Sequence, residues 1–377
     1  MLVSQARCLT YIGSSTAPVE ILKQAREVSE RVGDDVSRFE IVRQLARAYL
    51  VGGYDQQKFR TLLEELQGIA LRAADAELVA RVRCELAIAS TSEGNFIAAL
   101  EEFDRVSKLP VGTTPFEAIN FWATNSWTLW FLGYPERAQA SNRKSLAIGR
   151  EVTASLGDLA FALGHSALLS LLLRDPRTAA SQSGEAIRLG QERGFLMGYP
   201  AVYLHGRALA QLGQIEEGLS EMLRWQTYAE TAGGDPAYFT SVGIAEAHFA
   251  AGRPREGLEA VSEGLELVQR TGTRIWEAEM RRLKGELLLM GDQSTVVEAA
   301  RCFGDAIEVA RRQGAKSFEL RATMSLARLL MKQGRRNEAR TMLAEIYNWF
   351  TEGFDTPDLK DAKALLDELG QPGTVGR

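Results

Sequence analysis

A chain of 377 residues with 45% apolar and 25% charged side chains has the composition of a soluble folded protein. Its net charge of −5 argues against a general binder of nucleic acid or anionic membrane, leaving room for a local basic patch only. The three cysteines, Cys8, Cys84 and Cys302, lie far apart without a CxxC spacing, so reduced thiols in a cytoplasmic protein are expected, not a disulfide framework.

The opening stretch MLVSQARCLTYIG has too short an apolar run and too early an arginine for a signal peptide. Residues 2–12 are predicted as one short helix running into Gly13, the tail of a longer helix with no capping residue before it. The chain is therefore expected to be one part of a larger protein, or to descend from one. From here a single helix-turn-helix unit repeats to the end. Its turns read LVGGYDQ at Gly53, SEGNFIAA at Gly94, FLGYPERA at Gly133 and LLRDPRTAA at Arg174. They continue as QLGQIEEG at Gly213, AAGRPREG at Gly252, LMGDQS at Gly291 and KQGRRNEA at Gly334. Successive spacings are 41, 39, 41, 39, 39, 39 and 43 residues. A period near 40 signals a solenoid, whose units bury their apolar faces by stacking on neighbours.

Seven residues before the turns stand Ala46, Ala87, Ser126, Ala167, Gly206, Ala245 and Ala327, with Gly285 one position out of register. Five residues after them stand Ala99, Ala138, Ala179, Gly218, Gly257 and Ala339, while Lys58 departs. Small side chains at both places let the two helices of a hairpin approach closely. Leu326, Leu329 and Leu330 are expected to meet Leu343 and Ile346 across the last hairpin. The pattern resembles the tetratricopeptide repeat, in a variant with longer helices than that family's usual 34-residue unit. The resemblance implies an all-α, right-handed superhelical solenoid of about nine hairpins, elongated and curved.

Helix starts are marked by Pro135, Pro176 and Pro254 just after turns, by the capping box Thr114-Pro115-Phe116-Glu117, and by Asp235-Pro236 and Thr356-Pro357. The uncharged run 118–135 carries two Asn, two Thr and a Ser, and reads as a buried helix, not a membrane span. The repeat array is assigned to residues 1–354, a capping helix to 355–369, and a disordered tail to 370–377.

No GxxxxGK[ST], GxGxxG, HExxH, paired CxxC or GxSxG occurs, so no catalytic, cofactor-binding or metal residue is assigned. His165, His205 and His248 fall at different offsets from their turns and are read as packing residues. The pairs Glu64-Glu65, Glu101-Glu102 and Glu216-Glu217 read as solvated helix surface. Lys332, Arg335, Arg336 and Arg340, with Arg321 and Arg328 nearby, form the most basic patch and read first as a solvated turn. In tetratricopeptide arrays the concave groove is lined by positions about ten, six, three and two residues before the turn. Here these select Arg43, Arg47, Trp127, Trp130, Phe131, Tyr203, Arg207, Glu246, Phe249, Met324 and Arg328. Arginine and aromatic side chains dominate binding hot spots, so a protein or peptide partner is expected in this groove. The third unit is the most aromatic, with Phe116, Phe121, Trp122, Trp127, Trp130, Phe131 and Tyr134.

The stretches WFLGYPERAQAS (130–141), EAEMRRLKGELLL (277–289), AKSFELRATMSLARLLMKQGRRNEA (315–339) and IYNWFTEGFDTPDLKDAKALLDEL (346–369) carry a second resemblance. Together they resemble the carboxy-terminal repeat region of large bacterial signalling ATPases of the STAND type, many of them adenylate/guanylate cyclase-like. The resemblance implies a cytoplasmic, non-catalytic interaction or effector-sensing scaffold, attached to or partnered with an ATPase or cyclase-like domain. The alternative it leaves is a part of a cyclase-type enzyme whose catalysis resides in domains absent from this chain. No residue of those catalytic domains has a counterpart here.

Overall fold

The computed structural model describes residues 16–32, 34–52, 56–107, 114–151, 155–192, 201–231, 237–291 and 295–371. The expected helix at 2–12, Cys8, the turn at Gly53, the Asp235-Pro236 start and most of the 370–377 tail lie outside these residues. Eighteen helices and no strand occur among the described residues. In chain order they are α1 (Thr16–Val32), α2 (Asp35–Gly52), α3 (Gln56–Ala73), α4 (Ala76–Ser92), α5 (Phe96–Val106) and α6 (Pro115–Phe131). Next come α7 (Pro135–Gly149), α8 (Leu156–Leu172), α9 (Pro176–Glu192), α10 (Ala201–Gln211), α11 (Ile215–Thr231) and α12 (Ala237–Ala250). The last six are α13 (Pro254–Thr271), α14 (Glu277–Met290), α15 (Val296–Gln313), α16 (Lys316–Lys332), α17 (Arg336–Tyr347) and α18 (Pro357–Gly370). Helices α2 to α17 pair as eight antiparallel hairpins, with α1 before them and α18 packed on α16 and α17 behind them. The even-numbered helices touch one another along the inside of the curve.

Six of the turns are built the same way, whereas Gly291 has φ −85° and donates to the Leu288 carbonyl instead. The residue after the turn donates its amide five positions back: Asn95 to Ser90, Tyr134 to Leu129, Asp175 to Ser170, Gln214 to Leu209, Arg253 to His248 and Arg335 to Leu330. This closure needs a left-handed residue, and Gly94, Gly133, Gly213, Gly252 and Gly334 supply it at φ between +71° and +93°. Arg174 adopts the same conformation at φ +59° without being glycine. Proline opens α7, α9 and α13 where no amide is missed. Both halves of the Thr114–Glu117 capping box form, and Ser155 with Asp158 makes a second one on α8.

The small residues close each hairpin. All six alanines and serines seven before a turn, and Ala99, Ala138, Ala179 and Ala339 five after one, are fully buried. Where glycines replace them the backbones touch: a Cβ on Gly206 would strike the Gly218 carbonyl, and one on Gly218 the Gly206 carbonyl. Gly285 accommodates the ring of Phe303, so the out-of-register glycine does serve the seventh hairpin. Leu330, Leu343 and Ile346 share one cluster with Leu326 at its edge, but Leu329 turns to the preceding unit and packs with Ala299 and Phe303.

The array is not laid out as an open curve. Its superhelix comes round after about five units, and the turns of units one to four rest on the stretch from the end of unit six to α18. Ser92 accepts from the amides of Arg274 and Ile275 at 2.8 and 3.2 Å. Gln56 donates to Thr273 over a separation of 217 residues, Ser317 to the Trp130 carbonyl over 187, and Arg321 to the Leu172 carbonyl over 149. Phe131 and Trp130 meet Phe318 at ring distances of 5.3 and 5.5 Å, and Phe131 meets Trp276 at 5.8 Å. The accessible surface is 16942 Å², against about 15,000 Å² for a globular protein of this mass. The surface exceeds that of a compact globule, as expected for an extended array, while Trp130, Phe131, Trp276 and Phe318 join distant units across the superhelical turn.

A candidate interaction face inside the superhelix

Two ionic clusters line the inner helices. The first spans α2, α4 and α6. Arg43, only 5% exposed, reaches Glu117 at 2.8 Å, Glu40 at 2.9 Å and Glu85 at 3.5 Å. Arg47 donates to Glu85 at 2.7 Å, and Arg81 lies 3.0 Å from Glu77 and 3.8 Å from Glu117. Burial alone would raise the Glu117 carboxyl, but the guanidinium groups of Arg43 and Arg81 outweigh it and hold the group below its ordinary value. The second cluster runs along α10, α12, α14, α16 and α18. Arg207 binds Glu246 through two bonds of 2.8 and 2.9 Å, and Arg282 binds Glu279 through two of 2.7 and 3.0 Å. Arg321 lies 4.0 Å from Glu279 and 2.8 Å from Asp358, with its guanidinium 4.9 Å over the Trp130 ring. Glu279 is likewise held low: its burial is more than offset by Arg282 and Arg321.

Between the clusters runs a strip of rings on α6 and α8. The Arg47 guanidinium sits 5.5 Å over Phe116, which meets Phe161 at 4.8 Å. Phe161 meets His165 at 4.0 Å, and His165 stacks on Trp127 at 4.5 Å with the rings almost parallel. The indole of Trp127 donates to the His165 carbonyl at 3.1 Å. His165 Nδ1 lies 3.0 Å from the Phe161 carbonyl, which can only accept, so that nitrogen carries the proton. Burial pushes this imidazole down to about 3, against a smaller raising effect from the Phe161 carbonyl. Phe116, Trp127 and Phe161 are half-buried, as are Arg47, Arg81 and Glu40. The strip thus keeps partial contact with solvent through Phe116, Phe161 and Trp127, while His165 between them is buried.

The residues selected from the repeat offsets separate into three groups. Arg43 and Arg47 share the first cluster, Trp127 the ring strip, and Arg207 and Glu246 a single ion pair. Trp130, Phe131, Tyr203 and Met324 are buried at 3%, 0%, 0% and 4% exposure. They are core, not groove surface. Trp130 and Phe131 pack on Phe318 across the closed turn, whereas Tyr203 packs on Trp225 and Phe239, and Met324 clusters with Leu343 and Leu359, between neighbouring helices. Phe249 is half-buried against the same core, and Arg328 is exposed. The sequence pattern does not single out Phe161, Arg81 and Glu85, and it marks Phe116 and Glu117 only as a third-unit aromatic and a capping-box residue, not as groove positions. A signal existed for part of this, since opposite charges recur one repeat apart: Arg47 and Glu85 are separated by 38 residues, Arg207 and Glu246 by 39.

Other candidates resolve as structure. Arg336 donates to the carbonyls of Glu368 and Gln371 at the end of α18, and Arg335 pairs with Glu338 at 2.7 Å. Glu65 pairs with Arg26 and Arg38, and Glu102 with Arg83. His205 pairs with Glu221 at 2.7 Å. Among the described residues there is no group of side chains fit to hold a metal, and no helix long and apolar enough to cross a membrane. Cys84 and Cys302 are free thiols, and burial pushes the Cys84 thiol up to about 12.

No family profile matches the sequence, and no curated protein does. Solved structures share its architecture. A Rap protein complexed with competence and sporulation factor superposes with a TM-score of 0.64 at 12% identity, covering 98% of each chain. NprR in complex with its cognate peptide NprX gives a TM-score of 0.49 at 11% identity, over 78% of this chain and 84% of that one. A STAND protein with a tetratricopeptide repeat sensor from Pyrococcus horikoshii gives 0.43 at 11% identity, over 93% of this chain and 54% of that one. The chain thus has the tetratricopeptide-like superhelical fold, and the full-length superposition on the Rap protein shows it from end to end.

Proposed function

We propose that the chain is a non-catalytic binding scaffold that takes an extended peptide or protein segment against the ring strip inside its superhelix. The observation that carries this reading is the continuous run Arg47, Phe116, Phe161, His165 and Trp127 across three inner helices, flanked by the Arg43–Glu85–Glu117 cluster. Half-buried rings offer apolar area to a partner's side chains, and the neighbouring charges offer donors and acceptors to its backbone. The Rap protein of the same fold was solved with a factor bound, which agrees with such a use of the architecture. The sequence resemblance to signalling ATPases supports a cytoplasmic sensing arm that reports occupancy to an ATPase or cyclase-like domain.

The test is a native pull-down with the intact chain and a Phe116→Ala/Phe161→Ala variant. Loss of a captured partner with unchanged circular dichroism is expected. A variant that captures the same partner at full strength sinks the proposal. A nucleotide-binding domain encoded beside this chain, or co-purifying with it, would support the finer link.

A further inference from the structure

We propose that residues 349–361 form a strap that holds the superhelical turn shut and releases it reversibly. This goes beyond the binding role and does not depend on what enters the interior. The segment leaves α17, crosses to the turn between α6 and α7, and runs on into α18. At its centre Glu352 accepts from the amides of Glu136 at 2.7 Å and Arg137 at 3.1 Å. In return Glu136 accepts from the amide of Gly353 at 3.0 Å. This is a capping box split between partners 216 residues apart. Pro135 opens α7 without an amide, so the amides of Glu136 and Arg137 are that helix's free donors, and Glu352 brings a carboxylate to its positive end. Gly353 stands at φ +78° with Pro135 pressed against it, so no side chain fits there. Further along, Asp361 pairs with Arg174 at 2.6 Å, and Asp358 is shared by Arg174 and Arg321.

These contacts differ in kind from the aromatic axis beneath them. Arg174 and Asp361 are 45% and 46% exposed, so their pairing is weak and screened by salt. Trp349 rests on Tyr134 at 5.6 Å yet stays 36% exposed, and Phe354 is 48% exposed. Under the strap lies a void of about 20 Å³, bounded by Trp130, Ser317, Phe350 and Pro357, which has room for one water. Phe350 and Leu359 anchor the two ends of the segment in the last core cluster. Its middle is held to the α6–α7 turn by exposed polar bonds over an incompletely packed floor, and such a stretch belongs to the less stable part of a fold. Its release uncovers Trp130, the side chain that joins the α6–α7 turn to Phe318.

Amide hydrogen exchange on the intact chain tests this. In the wild type the amides of Glu136, Arg137 and Gly353 are expected to exchange through a local opening, faster than amides in the middle of α6 and α16, and faster again at high salt. Glu352→Ala combined with Asp361→Asn should accelerate all three about tenfold or more, the worth of a charge-assisted hydrogen-bond pair, while helicity holds. Glu352→Gln, which keeps an acceptor without the charge, should fall between. Exchange of the three amides only with global unfolding, or without response to salt, overturns the proposal even if the double variant fails to fold.

Discussion

Trp127 and Trp130 stand one helical turn apart and have opposite roles. Trp130 is packed against Phe131, Phe318 and Arg321 on the axis, so Trp130→Ala should cost about 3–5 kcal/mol and lower the melting temperature sharply. Trp127→Ala removes a half-buried ring stacked on one histidine and should cost distinctly less. Equal losses in melting experiments would contradict this division. His165 supplies a pH signature. Its folded value of about 3 lies below the ordinary 6.5, so the unfolded chain gains a proton that the folded chain refuses. Stability is complete above 6.5 and is lost as pH falls toward 3, by up to about 1.4 kcal/mol per unit. His165→Gln should flatten denaturation midpoints between pH 6.5 and 5; a slope unaltered by the substitution would rule this origin out. Glu117 and Glu279 are held low instead, so their contribution persists down to the ordinary 4.5 and disappears only below it.

At the scale of the hairpin, the small-residue pairs make a sharp contrast among glycines. On Gly218→Ala the new methyl would meet the Gly206 carbonyl and the Ala210 amide, backbone that cannot swing away. A loss of about 1–3 kcal/mol is expected. Gly304 lies exposed inside α15 with nothing within 4 Å of a Cβ, so Gly304→Ala should gain about 0.5–1 kcal/mol. Chemical denaturation of the two variants checks both signs. These elements were legible in the sequence because they recur: turn glycines, post-turn prolines and paired small residues each answer a local geometric need. The candidate face was legible only in part. Arg43, Arg47 and Trp127 follow from their offsets, but offsets describe an open solenoid. What sent Phe131 into the core is closure onto Trp276 and Phe318, far away in sequence, which no local pattern encodes; Tyr203 is buried instead by Trp225 and Phe239 of its own and the next unit.

The whole molecule should behave unlike a solenoid joined only through nearest neighbours, whose parts can unfold separately. Phe318 bridges the early and late units, so a single unfolding transition is expected for the wild type and a split one for Phe318→Ala, at a cost of about 3–5 kcal/mol. Circular dichroism and tryptophan emission followed together would show the two transitions separating; coincident curves for the variant would argue against coupling. Small-angle scattering should give a radius only modestly above the roughly 21 Å of a compact chain this long. Closure also bears on how such a gene can change. In an open array a duplicated unit adds length and little else. Here Glu352 must face Glu136 across 216 residues, and Asp361 must face Arg174 across 187. Gaining or losing one repeat between them would bring the wrong turn beneath the strap. Unit number within the closed turn is therefore set by geometry, whereas the outward faces of the same helices carry no such constraint.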